Sequence, residues 1–175
     1  MNARLQNLYN EIETQRKMLQ HSLIGASEEK LNKHPAGKWS VNQIVAHLIA
    51  AENLSIRYLN KKILGINDLK DSGLLEESKM ILLVVSQRLP LKFKAPKIVV
   101  DQTSPETDLN KLIAAWDSTR LELKNVLERI ENQHIKRKVY RHVRVGMLNI
   151  QHALKFIGEH VGHHTPQIKK LLKQK

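Results

Sequence analysis

A chain of 175 residues is long enough to bury a sizeable core within one domain, and this one holds no cysteine. A disulfide framework, a cysteine-ligated zinc and a cysteine nucleophile are thereby excluded, and any metal must be held by histidine and carboxylate. The formal net charge of +12 raises the question of anionic partners, but with two Trp, three Tyr and two Phe in all, the interleaved aromatics of a single-strand binder are missing.

The polar start Met1-Asn2-Ala3-Arg4 leads directly into an amphipathic segment, so no signal peptide is expected. The longest apolar run, Met80 to Val85, is too short to span a bilayer. The expectation is a soluble, cytoplasmic chain forming a single domain over 1–175. Residues 4–24 read as a first helix, with Leu5, Leu8, Ile12, Gln15, Leu19 and Leu23 along one stripe. A polar stretch through Ser27 and the turn-rich His34-Pro35-Ala36-Gly37-Lys38 comes next. Ser40, with Gln43 three residues on, has the form of a capping box, and Trp39 before it is placed to staple the helix start to the core. That second helix should run to about Leu64, where Gly65 ends it.

Residues 66–105 are the least regular part. Leu74 to Leu89 reads as a short helix, and Pro90, Pro96 and Pro105 are expected to break the chain beyond it into extended crossings. Ser104-Pro105-Glu106 gives a start signal for a third helix running through Leu109, Leu112, Ile113, Trp116, Leu123, Val126, Leu127 and Ile130. A basic connection from 132 to 148 leads to a fourth, about Asn149 to Leu172. Four long amphipathic helices predict an all-α four-helix bundle. The link of about forty residues between helices two and three suits a long crossover that makes those two helices parallel neighbours.

The last helix carries Glu159-His160-Val161-Gly162-His163-His164-Thr165-Pro166-Gln167-Ile168. His160 and His164, four residues apart, stand on one helical face, a spacing at which two imidazoles can grip one metal ion if a third ligand arrives from elsewhere. On a wheel of about 100° per residue, Ile150, Leu154, Ile157, Val161, Ile168 and Leu172 form an apolar arc. His164 falls inside that arc and His160 on its edge, while His152 and His163 fall on the far, solvent side. On the second helix His47 flanks the buried arc, and Glu52 lands in its middle, between Leu48 and Leu59. A buried carboxylate needs a cation or a hydrogen-bonding partner. Glu52 is thus either a group acting beside a metal, as orienting partner or base, or half of an ion pair with a lysine or arginine. Periodicity leaves two readings of His47, His160 and His164 as well. They form an open metal site, or they are partly buried histidines bonded to backbone and to one another.

The stretch Gly37-Lys38-Trp39-Ser40-Val41-Asn42-Gln43-Ile44-Val45-Ala46-His47-Leu48 resembles the second-helix signature of the DinB-like family, the superfamily that includes YfiT. The stretch from Glu159 to Ile168 resembles its last-helix signature of a His, three residues, a His, then Gln-Ile. Lys92-Phe93-Lys94-Ala95-Pro96 and the helix around Trp116 also fit. The resemblance implies a four-helix bundle with a long crossover, a frequent homodimer, and a divalent metal, zinc or nickel, on His47, His160 and His164. Members with known activity include thiol-dependent S-transferases and a mycothiol-dependent isomerase. By that resemblance the protein is expected to be a metal-dependent enzyme acting on a small-molecule substrate with a low-molecular-weight thiol as cofactor. Three neutral imidazoles leave a coordination position open, and a thiol or a water bound there would be strongly acidified. A hydrolase is therefore the first alternative. The second is a non-catalytic, stress-induced binding protein using the basic surface, with nucleic acid as the less favoured partner and a membrane excluded. One departure from some relatives is Pro166, just after His164, which removes the backbone bond to Gly162 and should bend or loosen the helix there. Gly158 and Gly162 would permit such a bend, or close helix packing.

Overall fold

The protein is described by a computed structural model over residues 1–35, 37–89 and 94–174. Among these residues there are seven α-helices: α1 (Ala3–His21), α2 (Glu28–Asn32), α3 (Val41–Ile63), α4 (Leu74–Arg88), α5 (Lys97–Gln102), α6 (Leu109–Glu128) and α7 (Ile150–Lys173). A short hairpin, β1 (Tyr140–His142) paired antiparallel with β2 (Gly146–Leu148), precedes α7. The fold is mostly helical, as expected for an all-α chain. No helix among the described residues is long and apolar enough to cross a membrane.

The four long helices have local causes. The Asn2 side chain caps α1, Ser40 and Gln43 close the full capping box of α3, Asp108 caps α6 and Asn149 caps α7. Helix α1 packs on α7 and α6, and α3 packs on α6 and α7. Side-chain pairs give the directions. Glu52 meets Trp116, Asn53 meets Thr119 and Asn60 meets Arg129, so α3 and α6 run the same way. Tyr9 reaches Arg120 and Arg16 reaches Asp117, so α1 runs against α6.

Several sequence expectations shift. Helix α1 ends at His21, where Ser22 caps it and the chain turns to Gly25 at φ +81°. Helix α6 begins at Leu109, not at Ser104, because the Ser-Pro-Glu run is spent on a turn of its own. There the Ser104 hydroxyl accepts from the Glu106 N–H, and the Glu106 carboxylate accepts from the N–H groups of Thr107 and Asp108. Pro96 starts the short helix α5 instead of an extended crossing. Pro90, Lys92 and Phe93 lie outside the described residues. Helix α7 runs without interruption across Pro166. The hairpin has no counterpart among the sequence expectations, since strands of three residues carry no readable alternation.

The wheel puts His152 on the solvent side of α7, yet it is buried and meets Glu77 of α4 at 3.0 Å. The reason is that α4 packs along α7 and covers the side a four-helix count leaves open.

The interior is two apolar clusters with a polar layer between them. One joins Leu19, Val45, Leu48, Leu112, Trp116 and Ile168; the other joins Ile12, Ile56, Leu59, Leu123, Leu127 and Leu154. Along each long helix the switch between clusters falls at a polar stretch: Glu13 and Arg16 on α1, Glu52 and Ser55 on α3, Thr119 and Arg120 on α6, His160 on α7. Within this layer Arg120 Nε lies 2.8 Å from Glu52 Oε1 and 3.6 Å from Glu13, and the Trp116 indole N–H donates to Glu52 Oε2 at 3.1 Å.

The two glycines beside the layer differ. A Cβ on Gly158 would stand 2.9 Å from Gln15 Oε1 and 3.0 Å from Ile12 Cγ2, whereas one on Gly162 meets nothing within 4 Å. Gly158 is therefore the close-packing glycine of α7. Gly162→Ala is expected to raise the melting temperature, since alanine is favoured over glycine in a helix by about 1 kcal/mol. Gly158→Ala is expected to raise it less or not at all, because Gln15 must swing aside and the buried Ile12 methyl must give way, offsetting the helix gain. Thermal unfolding of the two variants side by side checks the contrast.

Candidate metal centre

Two helices build the site. The Ser40 cap fixes the start of α3 and so the level of His47, two turns on, and α7 presents His160 and His164 from one face. The three rings converge, with centroids 5.2 Å apart for His47 and His160, 5.1 Å for His47 and His164, and 4.9 Å for His160 and His164. One nitrogen from each lies within 4.8 Å of the others. His47 Nε2 stands 3.3 Å from His160 Nε2. Two nitrogens at ~2.0–2.1 Å from one tetrahedral zinc stand about 3.3–3.4 Å apart, so this pair has the spacing of two ligands of one ion. The same distance also suits a hydrogen bond between one protonated and one bare ring nitrogen.

Protonation decides whether imidazoles can bind metal, and all three are held neutral. Burial lowers His47 to about 4. Burial, helped by the neighbouring His47 and His163, lowers His164 to about 3. His160 is pushed well below its ordinary value by burial first and by His164 and His47 second. At neutral pH each ring therefore keeps a lone pair.

A hydrogen-bond chain settles which nitrogen of His164 that is. Gln167 Oε1 lies 3.1 Å from His164 Nδ1. An amide oxygen only accepts, so Nδ1 carries the hydrogen and Nε2 the lone pair. The Gln167 amide NH2 in turn donates to His163 Nε2 at 3.3 Å, and His163 Nδ1–H donates to the backbone carbonyl of Gln87 at 2.8 Å. His163 and Gln167 thus orient a site residue from outside it, and Gln87 brings the end of α4 into the same chain. Arg88 clamps α4 there through a two-pronged pair with Glu159 at 2.9 and 2.6 Å. The wheel leaves His163 in solvent, and only the Gln-Ile ending of the motif hints at Gln167.

Trp39 does not staple α3 to the core. It is 36% exposed, and its ring lies 4.8 Å from that of His47. Phe156 stacks on His160, 5.5 Å away and 12° from parallel. The site is thus walled by two aromatics and lined with neutral donors. Glu52 is as buried as its place on the wheel requires, and its partners are Arg120 and Trp116. Burial pushes its carboxyl above the ordinary value, while Arg120 and the indole N–H pull the other way. The ion pair, one of the two roles open to it from the sequence, is present, and each oxygen has a partner on α6.

The lowered histidines make stability depend on pH. In the unfolded chain each takes a proton near 6.5, but folded His47 waits until about 4 and His164 until about 3. As pH falls through that window the unfolded state binds more protons, so folding weakens. The melting temperature of the metal-free protein is expected to fall between pH 6.5 and 4, and to fall less steeply in His47→Gln. Parallel slopes for the two proteins in a pH series of melting curves would mean that His47 protonates freely in the folded state.

Three comparisons bear on identity. No curated protein and no solved structure matches the chain. The sequence profile of the DinB superfamily matches residues 11–168, which include His47, His160 and His164. A group of three histidines fit for a divalent metal, on a mostly helical chain matched over nearly its whole length, leaves one assignment: the protein belongs to the DinB superfamily.

Proposed function

We propose that the protein is a metal-dependent enzyme in which His47, His160 and His164 hold a divalent ion, zinc or nickel, and that it transfers a group to the sulfur of a small thiol. The observation that carries this reading is the neutral three-imidazole cluster with its 3.3 Å Nε2–Nε2 pair. Three protein ligands are the complement of a catalytic rather than a structural site. An ion bound there would supply Lewis acidity, lowering the pKa of a thiol or water at its open position. The chain's own contribution is orientation and exclusion of water. Gln167 fixes the His164 ring, burial keeps all three imidazoles unprotonated, and Trp39 and Phe156 wall the site. With no cysteine in the chain, the sulfur must come from a diffusible thiol. Hydrolysis by a bound water is the alternative use of the same site.

The wider architecture belongs to this proposal. Helices α1, α3, α6 and α7 are taken as the four-helix bundle of the family, with residues 64–108 as the crossover and cytoplasmic work as the setting. A second copy of the chain is the expected partner. Supporting it is the outer face of α4, where Leu74, Leu75, Ile81, Leu82 and Val85 are 89, 63, 64, 66 and 48% exposed at helical spacing. Contiguous exposed apolar surface of this kind marks an interaction site.

Metal analysis by mass spectrometry on tag-free protein tests the first claim. About one zinc or nickel per chain, lost in a His47→Ala/His160→Ala double variant, is expected for a three-His site. It would justify assaying low-molecular-weight thiols against electrophiles. No stoichiometric metal after dialysis against zinc and nickel would end the enzyme reading and turn attention to the basic surface. For the second claim, light scattering is expected to give a dimer for the native chain and a monomer for Ile81→Glu/Leu82→Glu. A native monomer at micromolar concentration refutes it.

A further inference from the structure

Between α3 and α7 lies a small, partly open space of about 10 Å³, bordered by Leu48, Ala51, Glu52, Ser55, Phe156 and His160. That is the room of one water molecule, which also needs two to four polar partners to be held. Three polar side chains border the space, and each has one valence to spare.

Ser55 has a single hydrogen and two lone pairs. Its hydroxyl donates to the Ala51 carbonyl at 2.9 Å, so in its 3.2 Å contact with the Tyr140 hydroxyl the tyrosine must be the donor. One lone pair on Ser55 Oγ remains. Glu52 is buried and accepts the Trp116 N–H through Oε2, whereas Oε1 lies 2.8 Å from Arg120 Nε without an aligned hydrogen between them. Oε1 is therefore paired by charge and still open as an acceptor. His160 turns Nε2 toward His47. If that nitrogen is a metal ligand, the hydrogen of the neutral ring sits on Nδ1, its one remaining polar atom, and needs an acceptor.

We propose that this space is a water site, in which one water accepts from His160 Nδ1–H and donates to Ser55 Oγ and to Glu52 Oε1. The water completes all three groups at once and joins the polar layer to the metal centre. Glu52 is then a positioning residue. Through the water it holds the His160 ring in one tautomer and orientation and makes it a better donor to the ion, as His164 is held by Gln167. Arg120 and Trp116 hold Glu52 in turn, and Tyr140 holds Ser55, which gives the hairpin a role at the site. The positioning role and the hydrogen on His160 Nδ1 rest on the metal reading above; the room for a water and the open acceptors of Ser55 and Glu52 do not.

Two measurements separate them. A high-resolution crystal structure of the metal-free protein is expected to show a water within hydrogen-bond distance of Ser55 Oγ, Glu52 and His160 Nδ1. An empty or collapsed space overturns the proposal. Cobalt(II) is then used as the probe, with affinity from chelator competition and geometry from its visible absorption. Glu52→Gln is expected to weaken cobalt binding by roughly 10–100-fold, the usual loss when an orienting partner of a ligand is altered. Because Glu52→Gln also strips Arg120 of its counter-charge and can fail to fold, Ser55→Ala serves as the second variant. It leaves the Glu52–Arg120 pair intact, and is expected to weaken cobalt binding and shift the cobalt spectrum with unchanged circular dichroism. Native cobalt affinity and spectrum in Ser55→Ala overturn the positioning role. A native chain that shows the water but binds no cobalt refutes the metal reading and the positioning role together, and leaves the water site standing.

Discussion

Glu52 and Arg120 meet in the middle of the helices, both all but removed from solvent, and the arrangement around them depends on that contact. Taking two charges out of water costs several kcal/mol per ion, and their attraction returns this only in good geometry. Leaving either partner alone is worse, at about 3–5 kcal/mol. The pair is therefore better understood as a device of alignment than of stability. A one-turn slide of α6 along α3 would carry Arg120 among the leucines of one apolar cluster and leave Glu52 without a cation. Such a slip is forbidden by electrostatics where packing of interchangeable leucines would tolerate it. The level of α3 is thereby fixed, and with it the level of His47.

The polar layer and the histidine cluster are neighbours with opposite solutions to burial. In the layer, acids and bases are set against one another, Arg16 and Arg120 against Glu13, Glu52 and Asp117. In the cluster, burial removes the charge, since each imidazole gives up its proton more readily than it would in water. A cation entering the cluster meets lone pairs and no competing positive charge. The segment between α3 and α6 shares in this. Helix α4 closes the remaining flank of α7, buries His152, and supplies through Gln87 the carbonyl that starts the chain of hydrogen bonds ending on His164.

The parts legible in the sequence are those with a short-range signature. The Ser40–Gln43 capping box, the Asn149 start of α7 and the His160–His164 pair depend on residues three or four apart, where local geometry leaves little freedom. Periodicity alone places Glu52 in the interior but cannot name its partner, because Arg120 lies on another helix and the chain holds many cations. Ser104-Pro105-Glu106 misleads because the same residues that start helices also close turns, and here the turn wins. His152 and His163 mislead for a different reason. A wheel reports the side facing away from the apolar arc, and it cannot know that α4, an amphipathic helix from elsewhere in the chain, will cover that side.

His47 and His160 are 113 residues apart in sequence, and that separation governs when a site of this kind comes into being. Closing so long a loop costs entropy, and the apolar clusters on either side of the site, which join α3 to α7, contribute toward it. A metal ion meeting the unfolded chain finds at best the two imidazoles of a nascent α7, too few to organise the rest. The fold is in this respect the opposite of a zinc finger, in which the ion brings the chain together. Here apolar burial and charge matching hold the helices together apart from the three histidines, whose lone pairs stand ready for an ion. Loading with an ion would then be the last event in the maturation of the protein, and unloading would undo none of the others.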